Sequence, residues 1–519
     1  MTSLCVAIFV TDAAQARRDI ARAAELGADM VELRVDQITP DAPLEELKVL
    51  VRDSTLPCIV TCRPSLEGGN SELSDEDRLA VLKSLSQHGF PYVDVELALV
   101  RREPHAQVIL MRPLIVSAHD FQGRPLRLHS LLLELNEAGG NVTKIVWTAR
   151  SIRDNLEAFE ILQRRSKPTI ALCMGEAGLI SRVLAKKFGG FLTFTSLEQD
   201  SVTAPGQVPV TEMKRLYRWD AIRSDTKVYG VVAQPVAHSM SPAVHNAAFD
   251  HVGYNGVYLP LLVNAGYESF KAFMESFVPF AGLDLSGLSV TIPHKENALR
   301  YLQEKGAEID PLAVRTGAVN TICIDRHESG VRLRGLNTDY GAILDSITTK
   351  LGISRDDLAR YRVAVIGAGG TGRTAVAALA HCGATVVVYN RTHQRADALA
   401  AEFNGQTGKV VAAPIEKLCD SCCQIYINTT SLGMHPNVHV TPFGDAPPAL
   451  SSDTLVFDTV YNPLKTKLIR NAEAAGAKTI PGIEMFVRQA AAQFQVWTNL
   501  SAPTEMMRAV IQQRLEPAS

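Results

Sequence analysis

An apolar strand runs straight into a glycine-rich turn at Val363-Ala364-Val365-Ile366-Gly367-Ala368-Gly369-Gly370-Thr371-Gly372-Arg373. Such a turn suits a pyrophosphate: Gly367 permits the bend, Gly369 and Gly370 let backbone amides approach, and the next helix turns its N-terminus toward the charge. The following strand, Ala384 to Tyr389, ends in Asn390-Arg391-Thr392, where an NAD site carries an acid for the ribose. Arginine suits a 2′-phosphate instead, which favours NADP; a turn that merely closes a βα unit is the alternative. Far upstream, Lys144 lies in the apolar run Val142-Thr143-Lys144-Ile145-Val146-Trp147. Apolar surroundings disfavour an ammonium, and a lowered pKa makes the amine nucleophilic. A lysine snorkelling from a strand edge is the competing reading. His119, in Ser117-Ala118-His119-Asp120, offers either an acid–base group or a hydrogen-bonded core histidine. Lys295 and Asp339, at the ends of separate elements with Asn320 between them, are candidates for a proton-transferring dyad. Ser239 and Ser241 precede a helix expected to start near Ala243, where they either cap it or bind an anion.

The elements that must position these groups repeat one unit. Short apolar runs at Leu4–Val10, Met30–Val35, Cys58–Cys62, Tyr92–Leu97, Leu114–Ala118, Lys144–Thr148, Thr169–Met174 and Phe191–Thr195 read as strands. Helix-period segments lie between them at Ala13–Leu26, Glu76–His88, Ile152–Arg164 and Leu179–Phe188. Strict βα alternation of this length fits an α/β chain opening with a (β/α)8 barrel, whose chemistry sits at the C-terminal ends of the strands. Alternation places Glu32 and Arg34 on one inward face. The domain boundaries expected are 1–220 for the barrel, 227–340 for a substrate-binding domain completed by 481–519, and 341–480 for a Rossmann-like nucleotide domain.

Composition narrows the function. A chain of 519 residues is too long for one core. Net charge of -3 provides no basic stripe, so neither nucleic acid nor an anionic membrane is an expected partner. Nine scattered cysteines suit reduced thiols, and Cys419, Cys422 and Cys423 lack a second pair at zinc spacing, so no metal is expected and buried thiols are preferred. The apolar start is too short for a signal peptide and runs into a Thr11-Asp12-Ala13 helix cap; no membrane span is expected. The expected compartment is the cytoplasm, or the plastid stroma for a processed chain.

Residues 1 to 218 resemble the type I 3-dehydroquinate dehydratases. The match rests on Glu32-Leu33-Arg34, Thr61-Cys62-Arg63 with Glu67-Gly68-Gly69, Ser117-Ala118-His119-Asp120-Phe121, Val142-Thr143-Lys144-Ile145, Gly178-Leu179-Ile180-Ser181-Arg182 and Ala204-Pro205-Gly206-Gln207. The resemblance implies that Lys144 forms an imine with a substrate ketone, that His119 is the general base and acid, and that Glu67 orients it. Arg182 is implied as a carboxylate clamp, with Glu32, Arg34, Arg63, Thr203 and Gln207 as further substrate-binding groups. Thr203 stands where that family usually has serine; its hydroxyl remains, and altered lid packing is the expected consequence.

Residues 227 to about 515 resemble shikimate dehydrogenases. Besides the paired serines and the glycine turn, the matching stretches are Val290-Thr291-Ile292-Pro293-His294-Lys295, Ala318-Val319-Asn320-Thr321, Gly335-Leu336-Asn337-Thr338-Asp339, Asn428-Thr429-Thr430-Ser431, Asp458-Thr459-Val460-Tyr461 and Gly482-Ile483-Glu484-Met485-Phe486-Val487-Arg488-Gln489. This resemblance implies Lys295 and Asp339 as the catalytic pair and Ser239 and Ser241 as carboxylate ligands. Thr291, Asn320, Tyr461 and Gln489 are the implied further substrate contacts. NADP(H) would be held by Gly367, Ala368, Gly369, Gly370, Thr371, Asn390, Arg391, Thr392, Arg395, Thr429 and Met485. Gln493, one turn beyond Gln489, is read as part of an amphipathic helix. Together the resemblances imply consecutive steps, 3-dehydroquinate to 3-dehydroshikimate and then to shikimate. Two alternatives stand beside this: a reductase preferring quinate and NAD, and a ligand sensor that has lost catalysis.

Overall fold

The computed structural model describes residues 2–38, 44–87, 92–103, 105, 110, 113–198, 203–405, 407–444 and 447–516. The chain forms two compact units, one of residues 1–228, 255–264 and 275–284, the other of residues 229–254, 265–274 and 285–519.

The first unit contains a parallel barrel of eight strands: β1 (Ser3–Phe9), β2 (Met30–Arg34), β3 (Cys58–Thr61), β4 (Tyr92–Glu96), β5 (Leu114–Asp120), β6 (Val142–Thr148), β7 (Thr169–Met174) and β8 (Leu192–Thr195). Neighbours pair in sequence order and β8 returns to β1; at the β7/β8 seam the Phe191 amide donates to the Thr169 carbonyl at 2.8 Å. The strands read as apolar runs because parallel strands under a helical layer are buried on both faces. The first helix, Ala13–Glu25, shows how the outer layer is written: Asp12 caps it by accepting from the Gln15 amide at 2.8 Å, and Ala13, Ala16, Ile20 and Ala23 form its buried stripe. Of the expected helices, the end of one at His88 lies outside the described residues. β6 begins at Val142, two residues before the expected start, so Lys144 is an interior residue of the strand.

The second unit has two sheets. One runs through strands Lys227–Ala233, Leu285–Val290, Thr321–His327, Gly330–Leu336 and Glu308–Ile309 as successive neighbours. The other is parallel, in the order Lys409–Ala413, Thr385–Tyr389, Arg362–Ile366, Ile425–Asn428, Leu455–Asp458, Lys478–Ile480. Numbered along the chain, that order is 3-2-1-4-5-6, the doubly wound Rossmann arrangement. Its switch point lies between Arg362–Ile366 and Ile425–Asn428, so the crevice opens where Gly367 and Thr429 leave their strands. The helix Gly482–Thr498 then runs back along the first of these sheets, where the Trp497 indole donates to the Ile322 carbonyl at 3.2 Å. No helix among the described residues is long and apolar enough to cross a membrane.

His245 in the helix Ser241–His251 is fully buried, 5.3 Å from the Trp497 ring, and burial holds its imidazole down at about 3. The unfolded chain therefore takes up a proton near 6.5 that the folded chain refuses. The stability His245 supports is complete above that pH and is lost as pH falls toward 3, at ~1.4 kcal/mol per pH unit. Urea unfolding of the second unit between pH 4.5 and 6.5 should show this slope, reduced by that amount in His245→Phe.

Candidate active sites

The C-terminal ends of the barrel strands hold one ionic lattice. Lys144 from β6 is 3% exposed, with Nζ 2.7 Å from Asp94 Oδ2, 3.4 Å from Glu32 Oε1 and 4.4 Å from the Phe194 ring centroid. The ammonium is thus buried among carboxylates rather than in the purely apolar shell its neighbours in sequence suggest, and it does not snorkel. Asp94 was not anticipated. Both it and Glu96 occupy alternate positions of β4, and the pattern Tyr92-Val93-Asp94-Val95-Glu96 carries that signal. Arg63 bridges them, at 2.8 Å from Asp94 and 2.7 Å from Glu96, and Ser117 Oγ donates to Asp94 at 2.6 Å. These cations hold Asp94 far below the usual carboxylate range despite its burial, and the same carboxylates raise Arg63. Arg34 is fixed by Asp36 through two bonds of 3.1 and 2.6 Å.

Above this lattice Glu67 Oε2 lies 3.0 Å from His119 Nδ1 and accepts the His119 amide at 3.2 Å. Burial lifts the Glu67 carboxyl to about 7 and, with Arg63 and Lys144 nearby, pushes His119 well below its usual value. Glu32, Arg34, Arg63, Glu67, His119, Lys144, Arg182, Thr203 and Gln207 all line one cavity of about 480 Å³. Thr203 Oγ1 donates to Gln207 Oε1 at 3.0 Å, so the hydroxyl that replaces serine keeps a partner in the wall. Arg182 donates to the Pro205 carbonyl at 3.3 Å and leaves its buried Nε with no hydrogen-bond partner among the described residues.

In the second unit, Lys295 opens the helix Lys295–Glu304 and Asp339 lies in the first turn of Thr338–Leu351, their side chains 2.6 Å apart. Ser239, Ser241, Thr291, Lys295, Asn320, Asp339, Tyr461 and Gln489 line a single cavity of about 690 Å³, joined by Thr371 and Met485 from the expected cofactor set. The helix after the serines starts at Ser241 with Met240 at the cap, so neither serine takes the capping position. Gln493 belongs in this wall although the sequence reading left it out: it is buried, accepts from Ser289 Oγ at 2.8 Å and donates to Thr321 Oγ1 at 3.0 Å. Its spacing from Gln489 was the available signal.

The nucleotide turn fits a dinucleotide phosphate. Gly367 has φ +112°, a conformation that favours glycine, and Gly370 begins the helix Gly370–His381. Gly372, given no role from sequence, is the close-packing position: a Cβ there would run into the Gly367 carbonyl. Ala368 N donates to Asn390 Oδ1 at 3.2 Å, and Thr429 Oγ1 donates to the Ile366 carbonyl at 2.8 Å. Arg391, Thr392 and Arg395 are exposed beyond the second strand and do not line the 690 Å³ cavity. Of the cysteine cluster, Cys423 is buried but Cys422 is exposed.

A barrel with a lysine-centred cavity, followed by a Rossmann-containing unit with a lysine–aspartate cavity, defines an enzyme with two centres. Residues 4–224 match the type I 3-dehydroquinase family, 231–322 the shikimate dehydrogenase substrate binding domain, 350–439 the shikimate/quinate 5-dehydrogenases, and 482–512 the shikimate 5′-dehydrogenase C-terminal domain. The chain is 41% identical to the chloroplastic bifunctional 3-dehydroquinate dehydratase/shikimate dehydrogenase of Arabidopsis thaliana, over 94% of this chain and 80% of that protein. It is 38% identical to the NADP(+) shikimate dehydrogenase of Methanosarcina barkeri, over 56% of this chain and 99% of that one. A crystal structure of a shikimate dehydrogenase in complex with NADP+ superposes with a TM-score of 0.50 at 34% identity, covering 57% of this chain and 98% of that one. The chain belongs to the bifunctional 3-dehydroquinate dehydratase/shikimate dehydrogenase family.

Two outcomes follow from the geometry. With Glu67 ionised, its carboxylate at 3.0 Å favours the tautomer with the proton on His119 Nδ1, which leaves Nε2 able to accept a proton. The depressed histidine stays neutral well below pH 6.5, so the limb near neutrality belongs to Glu67. Dehydratase kcat/KM should rise with pH through an apparent value near 7, and Glu67→Gln should remove that limb. Separately, Gly372→Ala should cost about 1–3 kcal/mol in the second unit through overpacking and weaken NADPH binding, with dehydratase turnover unchanged, as read by urea unfolding and cofactor titration.

Proposed function

We propose that the two cavities carry out consecutive reactions with the residues assigned here. In the barrel, 3-dehydroquinate is dehydrated to 3-dehydroshikimate; in the second unit, 3-dehydroshikimate is reduced to shikimate. The observation that carries this reading is a lysine paired with a carboxylate in each of two separate cavities, the buried Lys144 with Asp94 and the part-buried Lys295 with Asp339.

In the dehydratase, Lys144 attacks the ketone and, after loss of water, forms an imine whose positive nitrogen draws electrons from the neighbouring carbon. Asp94 and Glu32 hold the ammonium in place before reaction; the proton it gives up to attack passes to His119, the neutral base of the same cavity, which returns it to the carbinolamine hydroxyl as water leaves. His119, oriented by Glu67, removes the proton from the acidified carbon and returns it to the departing hydroxyl. Arg182 clamps the substrate carboxylate, while Arg34, Arg63, Thr203 and Gln207 surround its hydroxyls.

In the reductase, NADP(H) supplies the hydride when bound. Arg391 and Arg395, exposed where an NAD site would place an acid, suit its 2′-phosphate, and Gly367–Thr371 with Asn390, Thr392, Thr429 and Met485 form the rest of its bed. Lys295 and Asp339 deliver a proton to the carbonyl oxygen as it becomes a hydroxyl. Ser239 and Ser241 hold the substrate carboxylate at the helix N-terminus, and Thr291, Asn320, Tyr461 and Gln489 bind the ring. We divide the chain functionally at 1–220, 227–340 with 481–519, and 341–480. We place its work in the cytoplasm or plastid stroma, where nine free cysteines stay reduced.

Purified wild type given 3-dehydroquinate alone should consume NADPH in preference to NADH. Lys144→Ala and Lys295→Ala should each lose at least ~100-fold of that rate. Added 3-dehydroshikimate should restore consumption in Lys144→Ala only. Consumption by Lys295→Ala at the wild-type rate would overturn the reductase assignment.

A further inference from the structure

The lysine–aspartate pair stands on an amide that no role assigned so far explains. Asn337 precedes the helix Thr338–Leu351, and its Oδ1 accepts the Asp339 amide at 3.1 Å, capping the turn that presents the Asp339 carboxylate. Its Nδ2 faces the other way, 3.0 Å from Thr316 Oγ1, 3.1 Å from the Ala318 carbonyl and 3.2 Å from Thr374 Oγ1. Thr374 is fully buried in the helix that starts at the glycine-rich turn, and its hydroxyl donates onward to the Gly370 carbonyl at 3.0 Å. Arg373 ties the same helix to Thr316, its Nε 2.6 Å from the carbonyl. A continuous buried path therefore runs from Gly370, through the Thr374 hydroxyl and the Asn337 amide, to the backbone of Asp339. The Lys295 side chain passes close to the same turn: a Cβ placed on Gly370 would lie 3.5 Å from Lys295 Cδ.

We infer that Asn337 is a positioning residue that fixes the Lys295–Asp339 pair relative to the nucleotide turn, with Thr374 as its anchor on the nucleotide helix. Neither Asn337 nor Thr374 lines the substrate cavity. Their effect reaches the reaction only through Asp339. A hydrogen-bonded polar junction between the helices Pro311–Thr316, Thr338–Leu351 and Gly370–His381 has one low-energy arrangement, and removing one member frees the others to shift. A small displacement of a proton donor from its acceptor lowers turnover far more than it lowers binding. The inference rests on the reading of Lys295 and Asp339 as the proton-transferring pair.

Thr374→Val removes the anchoring hydroxyl and keeps the volume, the cap and both cavities. It should lower reductase kcat by roughly tenfold to a hundredfold, with KM for 3-dehydroshikimate and Kd for NADPH within about twofold. It should also displace the pH limb of reductase kcat. Asn337→Ser, which keeps a capping oxygen but lacks the reach to Thr374, should act in the same direction, and the double variant should be no slower than Asn337→Ser alone. Wild-type kcat and pH profile in Thr374→Val, or a loss confined to NADPH affinity, would overturn the inference, and Thr374→Val decides even if Asn337→Ser fails to fold. Lys295→Ala, assayed alongside, separates the two failures: undiminished turnover there removes the underlying pair, whereas an inactive Lys295→Ala with a normal Thr374→Val removes only the role of Asn337.

Discussion

The barrel depends on the contact between Lys144 and Asp94. An ammonium taken out of water costs several kcal/mol unless its charge is compensated at close range, and compensation by one carboxylate creates a second buried ion with the same demand. The barrel meets that demand by extension. Asp94 is shared with Arg63, Arg63 with Glu96, and Glu96 with Arg78, which also donates to the Cys62 carbonyl at 3.0 Å. The ions come from β2 (Glu32), the segment just after β3 (Arg63), β4 (Asp94 and Glu96), β6 (Lys144) and the helix Asp75–Ser86 (Arg78), so the charges can balance only when these strands stand in one register. The same lattice keeps the Lys144 amine buried in the cavity and specifies the closure of the barrel around it.

The second unit solves a related problem with less charge. There the lysine and aspartate face one another alone, and the surrounding groups are neutral: the Gln493 amide, the Asn320 and Asn337 amides, and the hydroxyls of Ser289, Thr321 and Thr338. Neutral dipoles position without adding net charge. That suits a site proposed to admit an anionic cofactor beside the pair as well as its substrate.

Much of this was legible in the sequence because the chemistry lies at strand ends. Apolar runs mark parallel strands; Arg63 and His119 stand just after theirs, alternation along the second strand points Glu32 and Arg34 inward, and the apolar neighbours of Lys144 mark it out, and all five share one cavity. What escaped depends on contacts between elements distant in the chain. Asp94 lies on a strand to whose polar residues no direction was given, and only its neighbours in space show that it faces Lys144. Gln493 falls on a helix whose stripe is ambiguous until the sheet beneath it is known. Gly372 stood in the motif, but its purpose, clearance over the Gly367 carbonyl, is a property of the folded turn. The start of β6 was misplaced because Thr143 interrupts the apolar run, although that threonine is itself fully buried, with Oγ1 donating to Asn136 Oδ1 at 2.8 Å.

Charge bookkeeping in the barrel also says what the ligand must be. Lys144 has Asp94 and Glu32, Arg34 has Asp36, Arg63 has Asp94 and Glu96, and Arg78 has Glu96 and Asp75. Arg182 alone among these buried cations has no carboxylate within the ionic lattice; it holds one carbonyl, keeps an unpartnered Nε, and is driven down to about 10 by burial. A guanidinium in that state is unfavourable in the free protein and becomes favourable when a planar anion with two acceptors enters beside it. The cavity therefore holds an Arg182 guanidinium left without a carboxylate and, in the same wall, the Lys144 amine. On the proposed assignment a small keto acid would suit both groups at once, its carboxylate neutralising Arg182 and its ketone meeting Lys144, whereas a neutral ketone would leave Arg182 unmatched.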